Sequence, residues 1–237
     1  MNELGKLSVE QWLEGQLLLV DKPLGWSSFQ AVNAIKWALI KHLKLKKIKI
    51  GHAGTLDPLA SGLLLICVGK HTKLIEQFQG QEKTYTGTVT LGQTTPSYDL
   101  ETPFDAQYPT AHIDHELLSR TRLQFVGEIA QVPPVFSALK KDGKRLYEYA
   151  REGKELELPS RTVNISSFDI DSSKLESTNE VDFLVKCSKG TYIRSLAHDF
   201  GKALNSGAHL SALRRTAIGD YCVENALTPD KIKEQLC

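Results

Sequence analysis

The sequence is poor in the features that announce a compartment, a cofactor or a strongly charged partner. It holds four cysteines in 237 residues, Cys67, Cys187, Cys222 and Cys237, with no C-x-x-C pair among them. Zinc sites and disulfide frameworks need closer or more numerous cysteines, so reduced thiols and a cytoplasmic location are expected. No apolar run approaches the roughly 20 residues of a membrane-crossing helix. The opening Met-Asn-Glu-Leu-Gly-Lys lacks the charged-then-apolar order of a secretory signal. Internal repeats and low-complexity tracts are absent as well. The net charge is only +1, so any grip on nucleic acid must come from local patches.

What remains is the make-up of a folded globular chain, 41% apolar and 24% charged. The length suits one large domain, or a domain with a substantial insertion. The chain is organised around Gly51-His52-Ala53-Gly54-Thr55-Leu56-Asp57-Pro58-Leu59-Ala60-Ser61-Gly62. Its glycines allow positive φ or close backbone approach. Pro58 pushes Asp57 out of the α region. The unbroken apolar run at 63–68 reads as a buried strand anchoring the loop. An Asp before Pro is commonly a turn residue or a cap; on a rigid loop it is also a carboxylate that can be aimed at a ligand.

Upstream, residues 8–15 read as a short helix capped by Ser8, with Trp12 and Leu13 facing inward. Residues 16–20 read as a strand, ending in Lys22, Pro23 and a turn at Gly25. A helix over 28–43, capped by Ser27 or Ser28, carries Phe29, Val32, Ile35, Leu39 and Leu43 at helical spacing. Lys41, Lys44, Lys46, Lys47 and Lys49 follow it. Such a run is ordinarily a solvated face; beside a site for an RNA base it would grip phosphates.

Downstream, a helix is expected over about 71–78. Residues 83–92 alternate, with Tyr85, Gly87, Val89 and Leu91 on one face and threonines on the other. Residues 94–102 read as a loop. His112 and His115 flank Asp114; without a second ligand cluster this is the polar start of a helix over 114–125. Pro133-Pro134 excludes a central strand or helix interior. Lys140, Lys141, Lys144 and Arg145, interleaved with Tyr147 and Tyr149, suit a looped RNA segment, with a helix over 144–152. Strands are expected over 160–171 and 181–187, joined by a turn at 174–180. A helix then runs to about 204, burying Leu196, Ala197, Phe200 and Leu204. Arg194 in its first turn opposes the helix dipole and needs an anion, for which Asp57 is a candidate. Thr228-Pro229 opens a last short helix.

Several of these stretches, in this order, resemble the TruB family of tRNA pseudouridine synthases. They are D-K-P-L-G-W-S-S at 21–28, G-H-A-G-T-L-D-P-L-A-S-G-L-L at 51–64 and K-T-Y at 83–85. G-E-I-A-Q-V-P-P-V-F-S-A-L-K at 127–140, C-S-K-G-T-Y-I-R-S-L at 187–196 and G-A-H-L-S-A-L-R-R-T at 207–216 follow. The resemblance spans about residues 16–230. It implies an α+β pseudouridine synthase fold, with a mixed, largely antiparallel sheet flanked by helices. It also implies one catalytic domain over 1–237, a thumb-like RNA-binding insertion at about 127–155, and no C-terminal PUA domain. The 94–102 loop departs from the family's T-D-T-x-D pattern through Pro96 and Tyr98 and keeps an acid at Asp99.

The function implied is isomerisation of uridine 55 in the tRNA T-loop, with Asp57 as nucleophile on a flipped-out base. Tyr85 would stack on that base, a contact worth about 1–3 kcal/mol. Arg194 would pair with Asp57, His52 would fill the space the base leaves, and Leu213 would line its pocket. Tyr192 and Lys22 complete the expected substrate site. The reaction needs no redox change and no energy input, so neither cofactor nor metal is expected. The expected partner is the tRNA T-arm, with no membrane. A monomer is expected, since no long apolar stripe is left over. The alternative class is a non-catalytic tRNA-binding module using the same surface. A hydrolase is disfavoured because no Ser/His/Asp or metal constellation is present.

Overall fold

The computed structural model describes residues 4–137, 139–141, 143–152 and 158–236. They divide into two units: the residues up to Tyr85 with those from Arg214 onward, and Thr86–Leu213.

In the first unit, α1 (Val9–Glu14) starts at a capping box between Ser8 and Gln11. Trp12 is fully buried, but Leu13, expected inward, is 42% exposed; six residues present one buried position. β1 (Gln16–Lys22) leads through a turn to α2 (Ser28–Leu43), whose N-cap is Ser27, boxed with Gln30. The buried stripe of α2 is Ser28, Ala31, Val32, Ile35, Leu39 and Leu43. Ser28 and not Phe29 begins it. Phe29 lies about 100° further round the helix and is 70% exposed.

β2 (Ile50–His52) and β3 (Ala60–Val68) are antiparallel neighbours, and β1 pairs antiparallel with β3 from Gln16 opposite Val68 to Lys22 opposite Gly62. The two faces of β3 explain its unbroken apolar run. Leu64, Ile66 and Val68 join Trp12, Ile35 and Leu39 in one core cluster. Leu63, Leu65 and Cys67 join Ala53, Phe78 and Ile218 in another. A strand covered on both sides has no polar face to alternate with. The helix expected at about 71–78 is split into a 3-10 turn over Gly69–Leu74 and α3 (Ile75–Gly80).

The chain leaves this unit along β4 (Lys83–Leu91), which alternates as expected, with Lys83, Tyr85, Val89 and Leu91 buried. In the second unit β5 (Gln93–Thr94) pairs with β6 (Ala106–Gln107). α4 (His115–Arg122) is capped by Asp114, which accepts from the Leu117 amide, as its sequence led one to expect. β7 (Gly127–Gln131) stops before the two prolines. A hairpin of β8 (Lys140–Lys141) and β9 (Lys144–Arg145) precedes α5 (Leu146–Arg151). The expected helix over 144–152 therefore begins two residues late, at Leu146.

β10 (Arg161–Asp171), α6 (Leu175–Thr178), β11 (Glu180–Cys187), α7 (Ile193–Ala203) and β12 (Ala208–Ile218) follow. The turn expected at 174–180 is thus a short helix. Strands of this unit lie in the order β12-β4-β11-β10-β7, and β10 is antiparallel to both β7 and β11. A register shift between Ile165 and Ser167 re-aims β10, so Val163, Ile165 and Phe168 are all buried. Phe168 meets Phe125, Phe183 and Phe200 edge-on, the arrangement aromatic quadrupoles favour. Leu196, Ala197, Phe200 and Leu204 are buried as expected. β12 returns the chain to the first unit, which closes with β13 (Tyr221–Cys222) and α8 (Pro229–Leu236). Among the described residues no disulfide joins Cys67, Cys187 or Cys222; Cys237 lies outside the described residues.

Candidate active site

In the first unit the loop between β2 and β3 carries Asp57 on a turn, its carbonyl accepting from the Ala60 amide at 3.0 Å. The residues on either side are pinned. The Ser28 hydroxyl accepts from the Leu56 amide (2.8 Å) and donates to the Leu56 carbonyl (3.0 Å). The Gly25 amide donates to the Pro58 carbonyl at 2.8 Å. Because Ser27 takes the capping role, Ser28 is left to hold the loop. The adjacent serines were a signal that one was surplus to capping.

Lys22 is fully buried at the end of β1. Its ammonium donates to the carbonyls of Pro23 (3.0 Å) and Trp26 (2.5 Å). Burial pushes its pKa down to about 8; the Asp57 carboxylate opposes this shift and the Arg215 guanidinium adds to it. His52 lies at the end of β2, half-buried. Burial and then Arg215 lower its pKa, so its ring is neutral at pH 7. Tyr85 is 8% exposed on β4. Arg214 grips Asp21 with two parallel hydrogen bonds of 3.0 and 2.8 Å and reaches Ser61 Oγ at 3.4 Å.

In the second unit Arg194 sits in the first turn of α7, only 4% exposed. Its Nε lies 3.6 Å from Asp99 Oδ2, and its Nη1 donates to the carbonyls of Phe136 (2.9 Å) and Ser97 (3.3 Å). Asp99 thus supplies an anion for an arginine at a helix N-terminus, a role the sequence left open. The Asp99 turn is tightly bonded to itself: Thr95 Oγ1 donates to the Asp99 carbonyl (2.6 Å) and the Glu101 amide donates to Asp99 Oδ1 (2.9 Å). Tyr98 holds a left-handed φ of 63° and stacks on His198, with ring centroids 3.9 Å apart and planes 16° apart.

Tyr192 caps α7. Gln131, buried at the end of β7, accepts from the Tyr192 amide (2.7 Å) and donates to its carbonyl (3.1 Å). Ser195 Oγ donates to the Val132 carbonyl at 2.8 Å. The segment before the double proline is thereby tied to the start of α7. Leu213 is half-buried on β12. In the 127–155 region, the Lys144 ammonium lies 4.8 Å from the Tyr149 ring centre and pairs with Glu152. Among the described residues no three His, Cys, Asp or Glu side chains are grouped to hold a metal ion, and no helix is long and apolar enough to cross a membrane.

The fold is that of the pseudouridine synthases. The chain superposes on Cbf5 in a Cbf5-Nop10-Gar1 complex with a TM-score of 0.69 at 27% identity, covering 97% of this chain and 56% of that one. An H/ACA RNP bound to a substrate RNA containing 2′-deoxyuridine gives 0.66 at 26% identity over the same shares. The model of the TruB family pseudouridylate synthase N-terminal domain matches residues 41–193, and that of the tRNA pseudouridylate synthase B C-terminal domain matches 194–237. A tRNA pseudouridine synthase B of Flavobacterium johnsoniae is 61% identical over 97% of this chain and 100% of its own. That of Phocaeicola vulgatus is 52% identical over 94% of each. The chain belongs to the TruB family of pseudouridylate synthases.

Proposed function

We propose that this protein isomerises uridine to pseudouridine in tRNA, at position 55 of the T-loop, with Asp57 as nucleophile. The C1′–N1 bond of the nucleotide breaks and C1′ joins C5; C5 loses a proton and N1 gains one. The reaction therefore needs a carboxylate held in a fixed place against a base taken out of its stack. What carries the reading is the placement of Asp57. It lies within the stretch matched to the family, on a turn pinned through Leu56 and Pro58 beside the buried Lys22 ammonium.

The remaining roles belong to the same proposal. Arg194 pairs with Asp57, Tyr85 stacks on the flipped base, and Leu213 lines its pocket. Tyr192 contacts the nucleotide, and His52, neutral at pH 7, occupies the place the base vacates. Lys22 holds the 23–26 turn against the loop. The protein acts as a cytoplasmic monomer on the tRNA T-arm, as one catalytic domain whose residues 127–155 grip the RNA.

The test is incubation with unmodified tRNA transcript, chemical mapping of pseudouridine, and Asp57→Asn in parallel. One new pseudouridine in the T-loop is expected, with the variant slower by about 10⁴-fold or more. Tight tRNA binding by both proteins without modification by either would instead support a non-catalytic tRNA-binding module.

A further inference from the structure

We propose that Arg215 is a positioning residue for this reaction: one buried guanidinium that clasps the Asp57 loop at both ends. The inference rests on the function proposed above. Arg215 is 1% exposed on β12. Its Nε donates to the Leu63 carbonyl at 2.7 Å, its Nη2 to the Gly54 carbonyl at 3.1 Å and its Nη1 to the Thr55 carbonyl at 3.5 Å. Gly54 and Thr55 precede Asp57, and Leu63 follows it. A single planar group therefore fixes the separation of the loop's two ends, while Ser28 and Gly25 pin the residues beside Asp57.

The backbone of Arg215 closes on the loop as well. A Cβ at Gly62 would stand 2.3 Å from the Arg215 carbonyl oxygen, and Gly62 has a φ of +103°. Gly54 also has a positive φ, +99°, yet a Cβ there would meet Arg215 Nη1 only at 3.7 Å. Its glycine is thus required by backbone conformation, and Gly62 by both conformation and space.

The three acceptors suit a guanidinium and no other cation. Arginine offers donors in a rigid fork and stays charged when buried. A lysine would offer one compact ammonium whose pKa falls on burial, as that of Lys22 does. Among the described residues every hydrogen bond of Arg215 goes to a carbonyl. Its charge is therefore not cancelled by a carboxylate bonded to it, and it reaches Lys22 and His52, lowering the pKa of each.

The test uses the full chain with tRNA transcript in single turnover, normalised to protein that binds tRNA, so unfolded material does not count. Arg215→Lys keeps the charge and loses the fork. It is expected to lower the rate about 100-fold, the scale of a misplacement of about 1 Å, with tRNA affinity within about twofold of wild type. Arg215→Gln removes the charge too, and the His52 imidazole, followed by NMR, is then expected to titrate at higher pH than in the wild type. A wild-type single-turnover rate in Arg215→Lys would overturn the proposal. So would a rate loss matched by an equal loss of tRNA affinity. Asp57→Asn in the same assay separates the two levels. If wild type forms no pseudouridine, the functional reading fails and the clasp with it. If wild type is active, Asp57→Asn is inactive and Arg215→Lys is unimpaired, the clasp alone fails.

Discussion

Replacing Asp99 by Asn tests whether α7 is held by a buried ion pair. The two side chains are 5% and 6% exposed, with Nε and Oδ2 3.6 Å apart. Asparagine has the same shape and can still accept from the Glu101 amide through its side-chain oxygen, as Asp99 Oδ1 does. The change therefore removes the charge with little change in packing. Breaking a buried pair from one side costs about 3–5 kcal/mol, because the remaining charge stays desolvated. Arg194 retains the Phe136 and Ser97 carbonyls and, in the function proposed above, Asp57 as a second anion, which places the expected loss at the lower limit, about 3 kcal/mol. For a chain of this length that is a fall in Tm of roughly 6–12 °C. The assay is urea unfolding of both proteins at neutral pH, followed by circular dichroism, with the m-value checked for constancy. A loss under about 1 kcal/mol at unchanged m would refute the reasoning, since it would mean that the carboxylate does little for the arginine.

Two further outcomes follow from single residues. Tyr98 combines a left-handed backbone, costing about 1–2 kcal/mol for a non-glycine residue, with a stack on His198. Both Tyr98→Ala and Tyr98→Gly should destabilise, the alanine variant more by about 1 kcal/mol; an alanine variant more stable than the glycine one in thermal melts would contradict this. Lys22 has a folded-state pKa of about 8 against the ordinary 10.5. Between these values the unfolded chain binds more protons, so this group makes stability rise with pH across that window, by at most about 1.4 kcal/mol per unit. Below about pH 8 its cost is constant. Wild type should therefore gain stability relative to Lys22→Met between about pH 8 and pH 10 in urea unfolding; equal pH slopes would count against the buried-ammonium assignment.

Much of the fold was legible because its signals are local. The caps at Ser8, Ser27 and Asp114, the alternation of β4 and the stripe of α7 each follow from side chains within a turn or two of one another. The misreadings came where a distant partner decides. Phe29 fits a helical stripe by spacing, but the inward place is taken by Ser28, whose hydroxyl bonds Leu56 across 28 positions of sequence. The β8–β9 hairpin is two residues per strand, too short for any period to show.

The same distinction runs through the candidate site. Asp57 stands out because its own neighbours, Gly54 and Pro58, constrain the loop. Asp99 could be seen as an acid, yet its partner lies 95 residues on, at Arg194. Arg215 was visible only as part of a basic pair in a motif. Its neighbour Arg214 binds a carboxylate in the ordinary way, with two hydrogen bonds to Asp21. Arg215 points into the protein and binds three carbonyls more than 150 positions upstream. Strand alternation sends neighbouring side chains to opposite faces, so two adjacent arginines were bound to have different surroundings. Which of them would be buried depended on the loop that β12 returns to meet, and no stretch of sequence near Arg215 contains that information.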